Sequence, residues 1–181
     1  MNDKKFKYNP FVTEVMTARE VHLTEPDTEG EYADGKYKTE ATACKEYTER
    51  LKAEIQAVAD THFARKKNVH LPWWKTKEGV IAFKFKSPRK QPKLTDAKGR
   101  LLNAGTVIRG GTQLRIAGVI AAWEKGEKRG VSLFPDAVRV IKLSEDFDPC
   151  AAFGPPEDGF DGSARARNDD GTRSRQAPRD P

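Results

Sequence analysis

One long helical pattern lies between two sets of strand patterns, and this order restricts the possible folds more than any other feature. From Cys44 to about Lys67, apolar side chains recur at the i, i+3 and i+4 spacing of an amphipathic helix. Helices and strands therefore do not alternate along the chain, which argues against a βαβ architecture. The order favours a mainly β protein, a Greek-key barrel of about five strands with one inserted α-helix. An SH3-like barrel is the nearest competitor.

Five segments carry the alternating or β-branched patterns that are typical of strands. They are Phe11–Leu23, Lys36–Thr42, Val80–Ser87, Thr112–Trp123 and Gly130–Leu143. Asp34-Gly35 and the run Asp96 to Gly99 supply turns between them. Pro135 predicts a bulge or an edge position in the last segment, because proline cannot donate a hydrogen bond to a neighbouring strand.

The composition changes near residue 146. Residues 146–181 contain only three large apolar side chains, Phe147, Phe153 and Phe160, among many Gly, Pro, Ser, Asp and Arg. A segment that is so poor in apolar residues cannot bury enough surface to fold by itself. We therefore predict a folded domain over residues 1–145 and a disordered C-terminal tail over residues 146–181.

Charge is distributed unevenly along the chain. The net charge is +6, with a net of −3 in residues 146–181 and +9 in the preceding body. Residues 63–100 hold twelve Lys or Arg against Glu78 and Asp96. Such a concentration of positive charge favours a polyanionic partner, because phosphate neutralisation releases bound counterions. A merely solvated basic surface is the alternative.

The segment Phe83 to Lys86 places two kinds of side chain on two faces of one strand. Period two turns Phe83 and Phe85 to one face and Lys84 and Lys86 to the other. The two lysines would then lie about 6–7 Å apart, close to the phosphate spacing of an extended single strand. The alternative is an ordinary amphipathic strand with a solvated polar face.

Adjacent tryptophans, Trp73 and Trp74, are followed by Lys75 and Lys77. Neighbouring residues in an extended chain point in opposite directions, so one indole should be exposed beside lysines. Such an indole can stack on a base, a contact that contributes about 1–3 kcal/mol. In the alternative, one indole closes the barrel end while the other lies on a loop. Tyr37 is a third candidate platform.

The remaining candidates for phosphate contacts are basic residues on predicted strands and around the turn at residues 96–99. They are Lys36, Lys38, Arg89, Lys90, Lys93, Arg100 and Arg115.

The search for catalytic chemistry is largely negative. The histidines show no metal-ligand spacing with each other or with the cysteines, and no glycine-rich phosphate loop of the Walker type is present. We therefore expect no metal, no cofactor and no enzymatic activity. The alternative is a metal-dependent nuclease that uses Asp27, Asp34 and Lys36, although all three fall in or beside one turn-rich stretch.

The cysteines and the N-terminus bear on location. Cys44 and Cys150 are far apart in sequence and form no disulfide framework, which favours a reducing cytoplasm. The N-terminus lacks the apolar core of a signal peptide, and no apolar run has the length of about 20 residues that a membrane span needs. We expect a cytoplasmic protein.

Besides the inserted helix, several short pieces follow one another in a characteristic order. They are Pro26-Asp27-Thr28 leading to Gly35-Lys36-Tyr37-Lys38, Phe83-Lys84-Phe85-Lys86, Asp96-Ala97-Lys98-Gly99, Gly110-Gly111-Thr112-Gln113-Leu114-Arg115, and Gly130-Val131-Ser132-Leu133 through Ala137-Val138 to Val140-Ile141. In the order and spacing of these pieces, from the first strand to about Leu143, the sequence resembles the bacteriophage OB-fold single-stranded DNA-binding proteins of the replication type.

The resemblance implies an OB fold and non-sequence-specific binding of single-stranded DNA in phage replication, recombination and repair, within the host cytoplasm. It also implies that a C-terminal tail recruits replication or recombination proteins, for which Glu157, Asp158, Phe160 and Asp161 are the candidate docking residues. The final residues, 162–181, depart from an acidic tail because they mix arginines with aspartates. A protein-interaction adaptor stays open as an alternative, and a homodimer is among the allowed assemblies.

Overall fold

The structure is a computed structural model that describes residues 9–31, 33–64, 66–87 and 90–145. The predicted tail, residues 146–181, lies outside the described residues, as does Arg89. In the described part, no helix combines the length and the apolar character that a membrane crossing requires.

The described residues form one helix and nine strands. In chain order these are β1 Asn9–Val12, β2 Met16–His22, β3 Tyr37–Thr42, α1 Lys45–Phe63, β4 Val69–His70, β5 Trp73–Lys75, β6 Ile81–Ser87, β7 Lys93–Thr95, β8 Gln113–Lys125 and β9 Lys128–Lys142.

Five of the strands close into a ring. The hydrogen-bonded order is β2, β3, β6, β9 and β8, and β8 pairs with β2 to complete the circle. All neighbours in the ring are antiparallel except β6 and β9, which run parallel. This is the five-stranded OB barrel that the sequence predicted. The single helix enters between the second and third strands of the ring, which confirms its predicted insertion.

The prediction of one continuous first strand over Phe11–Leu23 was wrong. The structure divides it into β1, which pairs with β8, and β2, which pairs with β3 and with the start of β8. Thr13 marks the break. Its N–H donates to the Ile116 carbonyl over 2.8 Å, and its hydroxyl accepts the Ile116 N–H over 2.8 Å. A side chain that replaces a backbone partner in this way lets the chain change neighbours along β8.

Two boundaries also differ from the sequence prediction. The helix ends at Phe63, before the lysines near residue 67. The charged segment between the last two strands is largely strand, and the turn is confined to Gly126-Glu127. The Gly126 φ of 59° is a left-handed conformation that glycine adopts without steric cost.

The core lies inside the barrel and beneath the helix. The helix buries one stripe that includes Leu51, Ile55 and Phe63, as its spacing predicted. Phe83 and Phe85 are fully buried among residues of the ring strands, which confirms the inward face of β6. Period two therefore directs the alternate side chains of the ring strands outward, where they form the surface available to a ligand.

The bulge predicted at Pro135 is present in the long hairpin of β8 and β9. Ala117 lies opposite Ala137, whereas the next residue, Gly118, lies opposite Pro135, so Asp136 has no partner. Gly118 is required at this point, because a Cβ there would overlap the Phe134 carbonyl oxygen. The bulge shifts the register of the hairpin and decides which residues face each other beyond it.

A buried ion pair holds the loop between β2 and β3 against the sheet. The Lys38 ammonium contacts the Asp27 carboxylate, and both side chains are buried. Burial alone would lower the pKa of Lys38, but the hydrogen bond with Asp27 and the charges of Asp34 and Asp27 raise it. A raised lysine pKa means that this stabilisation is fully present below the ordinary lysine value and is lost as the pH rises through the raised value. The pair is therefore intact at neutral pH.

Replacement of Gly118 by alanine should destabilise the hairpin, because the new methyl group overlaps backbone that cannot move without breaking the bulge. We expect the free energy of unfolding to fall by at least about 2 kcal/mol, measured by urea unfolding followed by circular dichroism. Gly105→Ala is the matched control, since a Cβ at Gly105 meets nothing within 4 Å. Equal unfolding midpoints for the two variants would contradict the proposed role of the bulge.

Lys38→Met should leave the Asp27 carboxylate buried without its counter-ion. We expect the free energy of unfolding to fall by about 3–5 kcal/mol, measured by the same urea experiment at neutral pH. Lys36→Met serves as the control, because the Lys36 ammonium lies 3.9 Å from Asp34 and is more exposed. If the two variants lose equal stability, the buried pair does not hold the loop.

Candidate nucleic-acid interface

The outward face of β3 and β6 carries the predicted lysine array. Antiparallel register places Lys38 opposite Lys86 and Glu40 opposite Lys84. Lys84 and Lys86 are half-buried and point away from the core, as the alternation predicted. We call this surface the lysine face, made of Lys36, Lys38, Lys84 and Lys86.

Carboxylates neutralise most of the positive charge of the lysine face. The Lys84 ammonium lies 3.5 Å from Glu40. Lys86 forms an ion pair with Asp34, whose carboxylate also lies 3.9 Å from Lys36. The strand is therefore not a row of free cations, and a phosphate would have to displace a carboxylate in order to reach it.

Asp34 is the acid that most of these lysines share. Burial would raise its pKa, but the hydrogen bond from Lys86 and the charges of Lys86, Lys38 and Lys36 lower it below the usual value. The carboxyl group therefore stays ionised at any pH near neutral. A lowered pKa stabilises the fold above the ordinary aspartate value, and this contribution is lost as the pH falls through the lowered value.

Two of the predicted binding residues point inward or are enclosed. The Lys38 side chain is 6 % exposed and is held by Asp27, so it cannot contact a phosphate without breaking the buried pair. Tyr37 lies opposite Ser87, on the same side of the sheet as the fully buried Thr39. Period-two patterns were read correctly for β6, but the sequence did not show that the loop acid Asp27 reaches back to Lys38.

The two adjacent tryptophans separate as predicted. Trp73 lies opposite Phe83 and packs against the core, with the Lys52 ammonium 4.8 Å from the centre of its ring system. Trp74 lies opposite Ala82, on the outward face, and is 37 % exposed. Trp74 is thus the indole that a base can reach, whereas Trp73 serves packing.

A second basic surface lies on the outward side of β7, β8 and β9. It is an open groove of about 400 Å³. We call it the arginine groove. Its lining includes Lys93, Thr95, Arg115, Ala117, Ala137 and Arg139. Among the residues that the structure describes, none of its three cations forms an ion pair with a carboxylate.

The other predicted cations fall around this groove in different ways. Arg100 is held within its own turn, where its guanidinium donates to Asp96 over 2.9 Å. Lys90 is exposed beside a neighbouring pocket that also contacts Lys93. Arg89 is outside the described residues. Arg139 was not among the residues predicted from the sequence, although its alternation with the buried Val138 and Val140 places it on an outward face.

A pair of rings that the sequence did not suggest lies near the tip of the long hairpin. His70 and Trp123 are stacked, with ring centres 6.3 Å apart and planes 11° from parallel. Gly130 lies between them in the sheet. A Cβ there would lie 2.6 Å from the His70 carbonyl oxygen and 2.9 Å from the Trp123 Cζ2 atom. This close approach uses Trp123 in packing against His70.

The nuclease alternative receives little support from the geometry. Asp27 and Asp34 do converge, but the ammonium group of Lys38 lies between them. Ligand atoms of Glu20, His22 and Asp27 lie within 4.8 Å of one another. A metal ion at that point would compete with Lys38 for the Asp27 carboxylate, so these residues are better explained as an ion-pair cluster.

Comparison with solved structures identifies proteins of the same architecture. The gp2.5 single-stranded DNA-binding protein of bacteriophage T7 matches with a TM-score of 0.63 and 18 % identity, over 82 % of this chain and 98 % of that chain. The single-stranded DNA-binding protein of bacteriophage Enc34, in complex with single-stranded DNA, matches with a TM-score of 0.63 and 14 % identity, over 77 % of this chain and 90 % of that chain. No family model matches the sequence, and no curated protein matches it significantly.

Both structural neighbours are named as single-stranded DNA-binding proteins, and neither is named as an enzyme. Their identities to this chain are low, and the likeness therefore concerns architecture. The likeness agrees with the closed ring of five strands and with the helix between the second and third of them. The chain has the OB fold of the bacteriophage single-stranded DNA-binding proteins that it resembles.

Proposed function

We propose that this protein binds single-stranded DNA without sequence specificity, on the outward surface of its barrel. The observation that carries the proposal is the position of Trp74. An exposed indole lies on the same outward face as Lys84 and Lys86, which places a base-stacking platform beside cations. In OB folds this face of the second and third barrel strands is the usual surface for oligonucleotides.

The likeness to phage single-stranded DNA-binding proteins, one of them in complex with single-stranded DNA, supports the same function. Stacking and backbone contacts do not read base edges, so the resulting binding would tolerate any sequence. We extend the proposal to a role in phage DNA replication, recombination and repair, in the host cytoplasm. The proposed docking residues Glu157, Asp158, Phe160 and Asp161 lie outside the described residues, and their role in recruiting partner proteins stays a prediction.

Binding on the lysine face would proceed by exchange of anions. Lys84 and Lys86 leave Glu40 and Asp34 and turn to phosphates of the strand, while the displaced carboxylates become hydrated. Because each new ion pair replaces an old one, the lysine face contributes less to affinity than its count of lysines suggests. Among the described residues, no carboxylate or ring has to leave Trp74 before a base can stack on it.

Trp74→Ala should remove a stacking platform while leaving the core intact. We expect the affinity for oligo-dT to fall by a factor that corresponds to about 1–3 kcal/mol, measured by fluorescence anisotropy of a labelled oligonucleotide. Val15→Ala is the control, because Val15 is also exposed but lies between β1 and β2. An unchanged affinity in Trp74→Ala would overturn the stacking role.

Incubation of labelled single-stranded DNA with the full chain and Mg²⁺ distinguishes the binder from the nuclease. We expect DNA that is shifted in a native gel and intact after denaturation, since Lys38 occupies the space between the two aspartates. Shortened DNA that becomes intact in Asp27→Asn would instead support cleavage. Failure to bind both oligo-dT and duplex DNA would favour the adaptor alternative.

A further inference from the structure

We infer that the arginine groove, and not the lysine face, is the main electrostatic anchor for the phosphates of a bound single strand. This inference rests on the proposed function and assigns its phosphate-binding residues. The anchor consists of Arg139 and Arg115, which face each other, and of Lys93 on the neighbouring strand.

Sheet register brings the three cations to one surface. Arg115 of β8 lies directly opposite Arg139 of β9, and Thr95 of β7 lies on the other side of Arg139. Two residues along the strands, on the same face, Ala137 lies between Ala117 and Lys93. The cations therefore surround two alanines, which form a low floor between them.

The charge arrangement is unfavourable unless an anion is bound. Like charges directly opposite each other on neighbouring strands destabilise a sheet. The Arg115 Nε donates a hydrogen bond to the Thr13 carbonyl over 2.9 Å. A carbonyl group is neutral, so this bond does not cancel the charge of the guanidinium. An anion shared by the two guanidinium groups would remove the repulsion.

The acids nearest to the groove along the chain do not neutralise it. The Asp96 carboxylate accepts hydrogen bonds from the Arg100 side chain and from the N–H groups of Lys98 and Arg100, each over 2.9 Å. Asp136 is the unpaired residue of the bulge; it is exposed and forms no ion pair with a described residue. Among the described residues, no carboxylate therefore forms an ion pair with a cation of the groove, although Asp136 lines a neighbouring pocket together with Lys93.

The shape of the groove also suits a phosphate. Guanidinium groups are planar and present donors in a fixed fork that matches two oxygens of a phosphate. Arg139 is exposed at the rim, beside the turn residue Gly99, where an added Cβ would lie in ordinary contact at 3.7 Å from the Arg139 Nη2 atom. The small side chains of the floor leave room for the backbone of a strand to lie across it.

One strand of DNA can reach both surfaces. The parallel pair of β6 and β9 aligns Phe85 with Leu133, both facing inward, so the next residues, Lys86 and Phe134, are neighbours on the outward side. From Phe134 to Arg139, β9 advances about 16 Å, a distance that about two to three nucleotides span at a phosphate spacing of about 6–7 Å. The path from the lysine face to the arginine groove therefore fits a short stretch of single strand.

The test is the salt dependence of oligo-dT binding, because each phosphate contact to single-stranded DNA contributes about 0.7 to the slope of log affinity against log salt. In the full chain, the double variant Arg139→Gln/Lys93→Gln should lower this slope by about 1.4. Lys84→Gln/Lys86→Gln should lower it by less, since those lysines exchange one anion for another. Arg139 and Lys93 are exposed, and neither forms an ion pair with a described residue. The two substitutions therefore remove no ion pair of the described part.

Lys67→Gln controls for the loss of charge alone, because Lys67 is exposed beyond the end of α1 and belongs to neither the lysine face nor the lining of the arginine groove. Its slope should equal that of the wild type. Arg115→Lys keeps the charge and should lower affinity, because lysine lacks the fork of donors. A wild-type slope in Arg139→Gln/Lys93→Gln would overturn the inference and leave the proposed function standing. Absence of any wild-type binding to oligo-dT would instead overturn the proposed function.

Discussion

The pairing of β8 with β9 is the constraint on which the rest of this structure depends. This long antiparallel hairpin closes the ring of five strands, and its bulge sets which residues of the two strands face each other. If Asp136 were paired in a regular ladder instead of being bulged out, Arg115 would lie opposite Val138 and not opposite Arg139. Gly118 allows the bulge because its missing Cβ leaves space for a carbonyl oxygen of β9. The hairpin therefore determines both the closure of the core and the position of the unneutralised charge outside it.

A count of cations along the sequence does not predict how strongly a surface attracts phosphate. Lys84 and Lys86 belong to the segment that looked most suited to DNA, yet Glu40 and Asp34 neutralise them. The three cations of the arginine groove have no carboxylate partner among the described residues. In the account proposed here, stacking on Trp74 and electrostatic attraction in the arginine groove act at different places along one strand of DNA.

Local sequence patterns predicted most elements of this fold, whereas contacts between residues that are far apart in the sequence could not be predicted from such patterns. The helical stripe and the two faces of β6 were found because 3.6- and 2-residue periods are properties of a short segment. The division of the first strand was missed because it depends on Thr13 pairing with Ile116, far along the chain. Lys38 was assigned to the binding surface for the same reason, since its partner Asp27 reaches it only when the loop folds back. Arg139 was not predicted, because its position opposite Arg115 depends on the register of β8 and β9.

The most direct test of the central claim is a chemical footprint of lysine side chains in the full chain, with and without saturating oligo-dT. Acetylation read by mass spectrometry reports the exposure of each amine separately. The account predicts that DNA protects Lys84, Lys86 and Lys93, while Lys45 and Lys67 at the two ends of the helix stay as reactive as in the free protein. Protection of Lys45 and Lys67, with Lys84, Lys86 and Lys93 unchanged, would contradict it and place the strand on the helix side of the barrel.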